Sequence, residues 1–166
     1  MQIRDASAAD WPRIWPFWRR IVSAGETYAW DPHTPEPVAR ELWMAPAARV
    51  FVVEDGEQVV ASAYVKPNYG GPAAAVANAG FMVDPAHAGR GIGRRLAVHV
   101  LAEAGRDGYR AMVFNAVVAT NPAVDLWRSL GFVIVGTVPD AFDHPVHGPV
   151  GLHIMYRRLQ PGMPPS

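Results

Sequence analysis

Apolar and polar positions along the chain follow two different periods, and the switches between them mark out its elements. Trp11, Ile14, Trp15, Trp18, Ile21 and Val22 form an apolar stripe at helical spacing. Ser7, with Asp10 three residues on, opens that stripe, and Gly25 closes it. Pro16 falls inside it, which predicts a kink or a late start. A second short helix is predicted over 36–44. Residues 49–54 and 58–65 read as strands joined through Asp55-Gly56-Glu57 into a hairpin. Further strands are predicted over 2–4, 74–83, 111–118, 132–138 and 152–158, the last two separated by a polar, proline-bearing loop over 139–148. Ile92, Leu96, Val100 and Ala104 recur every four residues, and Ala97 and Leu101 widen the same face into a helix. Ala123, Leu126, Trp127 and Leu130 make another stripe at i, i+3, i+4 and i+7. Asn121 suits its N-cap, Pro122 its first position and Gly131 its left-handed stop. The sum is an α/β (α+β) chain: a mixed sheet of about seven strands with helices on both faces, and helical connections between neighbouring strands near its centre. Residues 1–160 read as a single domain and the proline-rich 161–166 as a disordered tail.

Composition narrows the class. Fifteen acidic residues balance fifteen basic ones, which gives no electrostatic case for nucleic acid or an anionic membrane surface. The absence of cysteine excludes disulfides, a thiol nucleophile and thiolate metal sites. The histidines show no metal-ligand spacing with neighbouring acids, so no metal is expected. No basic-then-apolar leader and no membrane-length apolar run is present, which points to a cytoplasmic protein. Sixteen prolines and many alanines suggest a GC-rich bacterial genome.

The chemistry centres on residues 78–105. The apolar run Ala79-Gly80-Phe81-Met82-Val83 ends at Asp84-Pro85. A glycine-rich loop, Ala88-Gly89-Arg90-Gly91-Ile92-Gly93-Arg94, then opens straight into the long helix. Strand, glycine turn and helix N-terminus make an anion site, because the first-turn amides are unpaired and glycine admits a close approach. A P-loop would need Gly-Lys-Ser/Thr, whereas Gly93 is followed by Arg94-Arg95. A dinucleotide fingerprint would need a third glycine where Arg94 stands and an acid at the end of the next strand, which is missing. A tight turn with solvated arginines is the bland alternative.

This loop resembles the signature of the GNAT superfamily of acyl-CoA-dependent N-acyltransferases, Arg/Gln-x-x-Gly-x-Gly/Ala, with Gly91 and Gly93 at the small positions and Ala88 in place of the usual long polar residue. A second stretch, 121–132, is similar to the family pattern Asn-x-x-Ala-x-x-Leu-Tyr-x-x-x-Gly-Phe. Asn121, Leu126, Gly131 and Phe132 match it, with Val124 in place of alanine. Residues 78–135 carry the resemblance strongly and the rest of the chain loosely. It implies a GNAT-like fold and direct attack of an amine on the thioester of acetyl-CoA, with no metal and no covalent enzyme intermediate.

The resemblance also implies roles. Backbone amides near Phe81, Met82 and Val83 would hold the pantetheine arm and the developing oxyanion. Amides of Ala88, Gly89, Arg90, Gly91, Ile92, Gly93 and Arg94 would take the pyrophosphate, and Asn121 would contact the CoA arm or simply cap its helix. Trp127 stands where many members carry a tyrosine that protonates the thiolate. Indole is no usable acid, so the proton must come from water, Tyr28 or another tyrosine. The connection between the first two helices covers the acceptor cleft in this family, which makes Tyr28 and Trp30 candidates, although both suit packing on the sheet. Glu26, Asp31 and His144 are possible bases only if their loops fold over the cleft.

Asn78 and Asn115 each interrupt an apolar strand, where an unbonded amide is costly. Read blandly, they are bonded core asparagines; read functionally, they face the cleft and bind the acceptor. Asn78-Ala79-Gly80-Phe81, Phe114-Asn115 and Ala119-Thr120-Asn121 resemble the subgroup that acetylates proline analogues such as azetidine-2-carboxylate, which implies a small amino acid as acceptor. Two other classes stand beside this: a non-catalytic acyl-CoA-binding module, and a transcription-associated protein acetyltransferase with an open groove. The expected partner is a small-molecule amine, and a homodimer is left open.

Overall fold

The computed structural model describes residues 1–160; the tail expectation falls on 161–166, outside the described residues. Among the described residues no helix is long and apolar enough to cross a membrane. The elements, in chain order, are β1 (Gln2–Asp5), α1 (Trp11–Ala24), α2 (Glu36–Trp43), β2 (Arg49–Asp55), β3 (Gln58–Pro67), β4 (Val76–Val83), α3 (Ile92–Arg106), β5 (Ala111–Val118), α4 (Ala123–Ser129), β6 (Val133–His144) and β7 (Gly148–Arg158).

The strands form one seven-stranded sheet in the order β1-β2-β3-β4-β5-β7-β6. All neighbouring pairs are antiparallel except β4 and β5, which run parallel across the α3 connection. Two apolar layers sandwich the sheet. Trp11, Ile14, Phe17, Trp18 and Val22 of α1 join Ala39 and Trp43 of α2 against Val50, Val52, Tyr64 and Met82. On the opposite face Ile92, Leu96, Ala97, Val100 and Leu101 of α3 join Trp127 against Phe51, Ala63, Met112 and Phe114. Strand alternation produces this division: successive side chains enter opposite layers.

Two expectations needed correction. The late start allowed for at Pro16 is not seen: α1 begins at Trp11 and runs through Pro16 to Ala24. The hydrogen bond that proline forfeits is one bond, against the burial of five large side chains on the stripe. The loop predicted over 139–148 is mostly strand: β6 extends to His144 and only a short turn precedes Gly148. As the edge of the sheet, β6 accommodates Pro139 and Asp140 in an irregularity between Val138 and Phe142, where Asp140 takes φ 50. Its exposed pattern is why it reads as a loop.

Candidate active site

The parallel pairing of β4 and β5 covers only three residue pairs, Val76–Ala111, Ala77–Met112 and Asn78–Val113. Beyond Asn78 the two strands no longer pair, and the backbone groups of β4 that would have continued the ladder face a gap. Asp84 N–H donates to the Val60 carbonyl on β3 at 2.8 Å. Alternation then turns the Met82 amide toward β3, where Met82 stands opposite Ser62. The gap-facing residues are Ala79, Phe81 and Val83. The expectation of three successive amides is therefore corrected to alternate ones, since a strand presents only every second amide to one neighbour.

A cavity of about 250 Å³ occupies this gap. Asn78, Ala79, Gly80 and Phe81 line one wall, Phe114, Asn115, Ala116 and Val117 the other. Thr27, Tyr28, Ala29 and Trp30 from the α1–α2 connection close over it, and Asn121, Ala123 and Trp127 border it from the α4 side. Its lining contains no carboxylate, imidazole, lysine or arginine.

Asn78 is buried and engaged at both ends. It accepts from the Tyr64 hydroxyl at 3.2 Å through Oδ1 and donates to the Val113 carbonyl at 3.0 Å through Nδ2. This bond bridges the two strands at the last residue of their ladder. Asn115 is exposed, beside an irregularity in the β5–β7 pairing between Phe114 and Val117. It exchanges two amide bonds with Asn68, 3.1 Å through its Oδ1 and 2.7 Å through its Nδ2. Asn68 and Tyr64 were not anticipated: Asn68 reads as a turn residue beside Pro67 and Gly70, and Tyr64 as one more apolar strand position. The register of β3 against β4 brings Tyr64 to the site, and Asn68, just past the end of β3, meets Asn115 through its side chain.

Tyr28 makes the closest approach to the gap-facing backbone. Its hydroxyl donates to the Phe81 carbonyl at 2.6 Å and accepts from the Phe81 amide at 3.0 Å. Its ring stacks on Trp30 with centroids 4.9 Å apart. Burial of the hydroxyl, with a smaller contribution from Tyr64, raises the phenol well above its ordinary value. Burial also pushes the Tyr64 phenol up to about 12. Trp127 packs its indole 4.9 Å from the Phe81 ring and 4.8 Å from that of Phe114. Glu26, Asp31 and His144 do not line the cavity; the Asp31 carboxylate accepts from the His33 amide, and the His144 ring lies against His147.

At the far end of β4 the glycine-rich loop meets α3. Gly89 and Gly91 take φ 76 and 73, the left-handed region where a side chain is strained, and a Cβ on either would meet nothing within 4 Å. The first in-helix bond runs from Arg95 N–H to Gly91. The amides of Gly89, Arg90, Gly91, Ile92, Gly93 and Arg94 have no hydrogen-bond partner among the described residues. Ala88 differs: its amide donates to the Pro85 carbonyl at 3.3 Å, which removes it from the set expected to bind an anion. A Cβ on Gly93 would lie 3.6 Å from Val83 and 3.9 Å from Leu126, so this helix start abuts both the gap-facing edge of β4 and α4. Arg90 pairs with Asp55 and Arg94 donates to Ser129. Asn121 accepts from the Ala123 amide at 2.9 Å, an N-terminal cap for α4. Among the described residues no group of three or more His, Asp or Glu side chains is placed to hold a metal ion.

Comparison with known proteins identifies the family. The acetyltransferase (GNAT) family profile matches residues 13–132. The structure of a GCN5-related N-acetyltransferase from Kribbella flavida superposes with a TM-score of 0.91 at 56% identity, covering 95% of this chain and 97% of that one. The N-acetyltransferase aca1 of Schizosaccharomyces pombe is 39% identical over 106 residues, 63% of this chain and 51% of that protein. The chain thus spans about half the length of that curated relative. A phosphinothricin acetyltransferase from Sinorhizobium meliloti, solved in complex with acetyl-CoA, shares the fold with a TM-score of 0.82 at 22% identity over 99% of this chain and 92% of that one. The chain belongs to the GNAT acetyltransferase family.

Proposed function

We propose that the protein transfers the acetyl group of acetyl-CoA to the amine of a small molecule, with a small amino acid, such as a proline analogue, as the acceptor class. The observation that carries this is the open end of the β4–β5 ladder: a run of gap-facing backbone leads from a cradle of unpartnered amides to a polar, closed-over cavity. The cradle at Gly89–Arg94 fits a pyrophosphate, since both left-handed glycines leave it open and the helix dipole favours anions. Along β4, the Ala79 and Val83 amides face the path of a pantetheine arm, and the Phe81 amide, which donates to the Tyr28 hydroxyl, would serve a thioester oxyanion once that hydroxyl gives way.

Chemically, the amine nitrogen bonds to the thioester carbonyl carbon and the carbon–sulfur bond breaks, releasing CoA. The residues of this chain orient both partners and exclude water. Asn115 and Asn68 present amide groups to the acceptor, while Asn78 holds the two strands at the apex and keeps Tyr64 in place. The Tyr28 hydroxyl, which donates to the Phe81 carbonyl, would have to turn from it to donate to sulfur. Its raised pKa keeps it protonated but makes it a poor acid against a thiolate whose reference pKa is about 8.5. The proton the thiolate needs comes instead from the ammonium formed on the attacking nitrogen, directly or through water. Trp127 supplies an apolar wall with Phe81 and Phe114. The aromatic closure from Tyr28 and Trp30 favours a small acceptor over a peptide, and a polar cavity beside the thioester has no use in a non-catalytic acyl-CoA-binding module.

The test is release of free CoA from acetyl-CoA across a panel of small amines and a histone peptide, with the product identified by mass. Turnover on small amino acids with the acetyl group on nitrogen is expected. Tight CoA binding with no release on any amine would overturn the assignment, and turnover on the peptide alone would move it to a protein acetyltransferase.

A further inference from the structure

The cavity lining carries no charge, so any acceptor bearing a carboxylate must find its counterion at the rim. Lys66 is the only lysine in the chain. It stands on β3 two residues beyond Tyr64 and directly opposite Asn78, which puts all three side chains on one face of the sheet, the face closed over by the α1–α2 connection. Its ammonium lies 5.3 Å from the centroid of the Tyr64 ring. Tyr64 itself lines the cavity and donates to Asn78. Lys66 is half-buried and makes no ion pair among the described residues. On β1 and β2 the strand cations are neutralised, Arg4 by Asp10 and Glu54, Arg49 by Asp5, Glu103 and Asp107. Arg157 and Arg158, at the end of β7, make no ion pair among the described residues either, but β7 lies beyond β5 and not beside Asn78.

We propose that Lys66 is the specificity-determining residue for the acceptor, pairing with the carboxylate of an amino acid whose amine lies deeper in the cleft. This rests on the amine-acetylation reading above and adds to it the requirement for an anionic group on the acceptor. A carboxylate entering a site walled by Tyr64, Trp30 and the Asn68–Asn115 pair loses water, and a positive charge at the rim offsets that loss more strongly than neutral donors do. Lysine suits the task because its compact ammonium on a flexible stem can leave the Tyr64 ring and meet a ligand without a fixed fork geometry.

The experiment compares an amino acid with its methyl amide, which keeps the amine and removes the negative charge, in the wild type, Lys66→Met and Lys66→Arg. The wild type is expected to prefer the amino acid. Lys66→Met should raise the KM for the amino acid roughly 10- to 100-fold, the size of a lost charge-assisted contact. It should leave the amide acceptor and the KM for acetyl-CoA unchanged. Lys66→Arg should restore most of the preference, since charge is retained. Equal losses on both acceptors in Lys66→Met would assign Lys66 a packing role and overturn the proposal, as would unchanged kinetics on both. A wild-type protein whose kcat/KM with the methyl amide equals that with the amino acid keeps the acetyltransfer reading and overturns this one. A wild type that releases CoA with no amine overturns the acetyltransfer reading first.

Discussion

Asn78 and Asn115 carry the same side chain into opposite circumstances, one buried with both ends bonded by protein and the other exposed in a paired amide exchange with Asn68. Their replacement by alanine therefore separates architecture from binding. Asn78→Ala strands the Tyr64 hydroxyl and the Val113 carbonyl and is expected to lower unfolding free energy by about 1–3 kcal/mol, measured by urea denaturation. Asn115→Ala should leave stability within about 0.5 kcal/mol of wild type while raising the KM for the acceptor. Tyr28→Phe keeps the stack on Trp30 but removes the hydroxyl that meets both Phe81 backbone groups. A fall in kcat of roughly 10- to 100-fold is expected in steady-state assays. The only titratable lining groups, Tyr28 and Tyr64, are both shifted upward by burial and stay neutral near pH 7. The kcat/KM for the acceptor should accordingly rise with pH as the free amine fraction rises, up to the acceptor's own pKa. A fall on the acid side governed by an enzyme group near pH 6–7 would show a base that the lining does not contain.

Local packing at the level of elements carries a further set of consequences. β1, the start of α1 and the end of β2 are tied by Arg4, which donates to both Asp10 oxygens at 2.9 Å and to Glu54 at 2.6 Å. The Arg4 hydrogen bonds, aided by the Ser7 amide and opposed by burial, hold the Asp10 carboxyl down from its ordinary 3.8 to about 2. A carboxylate depressed in the folded state stabilises it above its unfolded pKa and loses that contribution as pH falls through the folded value. Stability should thus drop by about 2 kcal/mol between about pH 4 and pH 2, and Asp10→Asn should flatten that part of the denaturation profile. On β4, a Cβ at Gly80 would overlap the Tyr64 ring on the neighbouring strand. Gly80→Ala is expected to displace Tyr64, break its bond to Asn78 and disturb the acceptor side more than the CoA side. In the loop, Gly91→Ala places a side chain at φ 73 with open space around it. It should cost about 1–2 kcal/mol of stability and raise the KM for acetyl-CoA, leaving the acceptor KM alone.

At the scale of the whole molecule, the proposed function rests on one departure from regularity: the parallel ladder that stops at Asn78–Val113 and lets two strands separate. Much of this was legible in the residues. The periodicities located α3 and α4, and the Gly89–Gly93 loop was readable because glycine at a helix start has few other uses. Asn78 and Asn115 were conspicuous because an amide in an apolar strand demands a partner. What was not legible depends on register, which no local pattern encodes at a central strand. Tyr64 and Lys66 come beside Asn78 and Gly80 only because β3 pairs with β4 in one particular alignment, and Asn68, just past the end of β3, meets Asn115 through its side chain. The same alternation removed Met82 from the expected amide set, and the two bonds of Asn78 to Tyr64 and Val113 were equally invisible beforehand. The extent of β6 was hidden for a different reason: an exposed edge strand with a proline and a bulge has the composition of a loop. The most direct measurement on the cleft itself is steady-state CoA release at saturating acetyl-CoA with a small amino acid varied, in the wild type and in Asn115→Ala. The expected result is turnover by the wild type and a KM for the amino acid raised roughly tenfold in the variant, the acetyl-CoA KM being unchanged. Acetyl-CoA binding without CoA release in the wild type, or a variant altered only toward acetyl-CoA, would contradict the placement of acetyl transfer in the gap between β4 and β5.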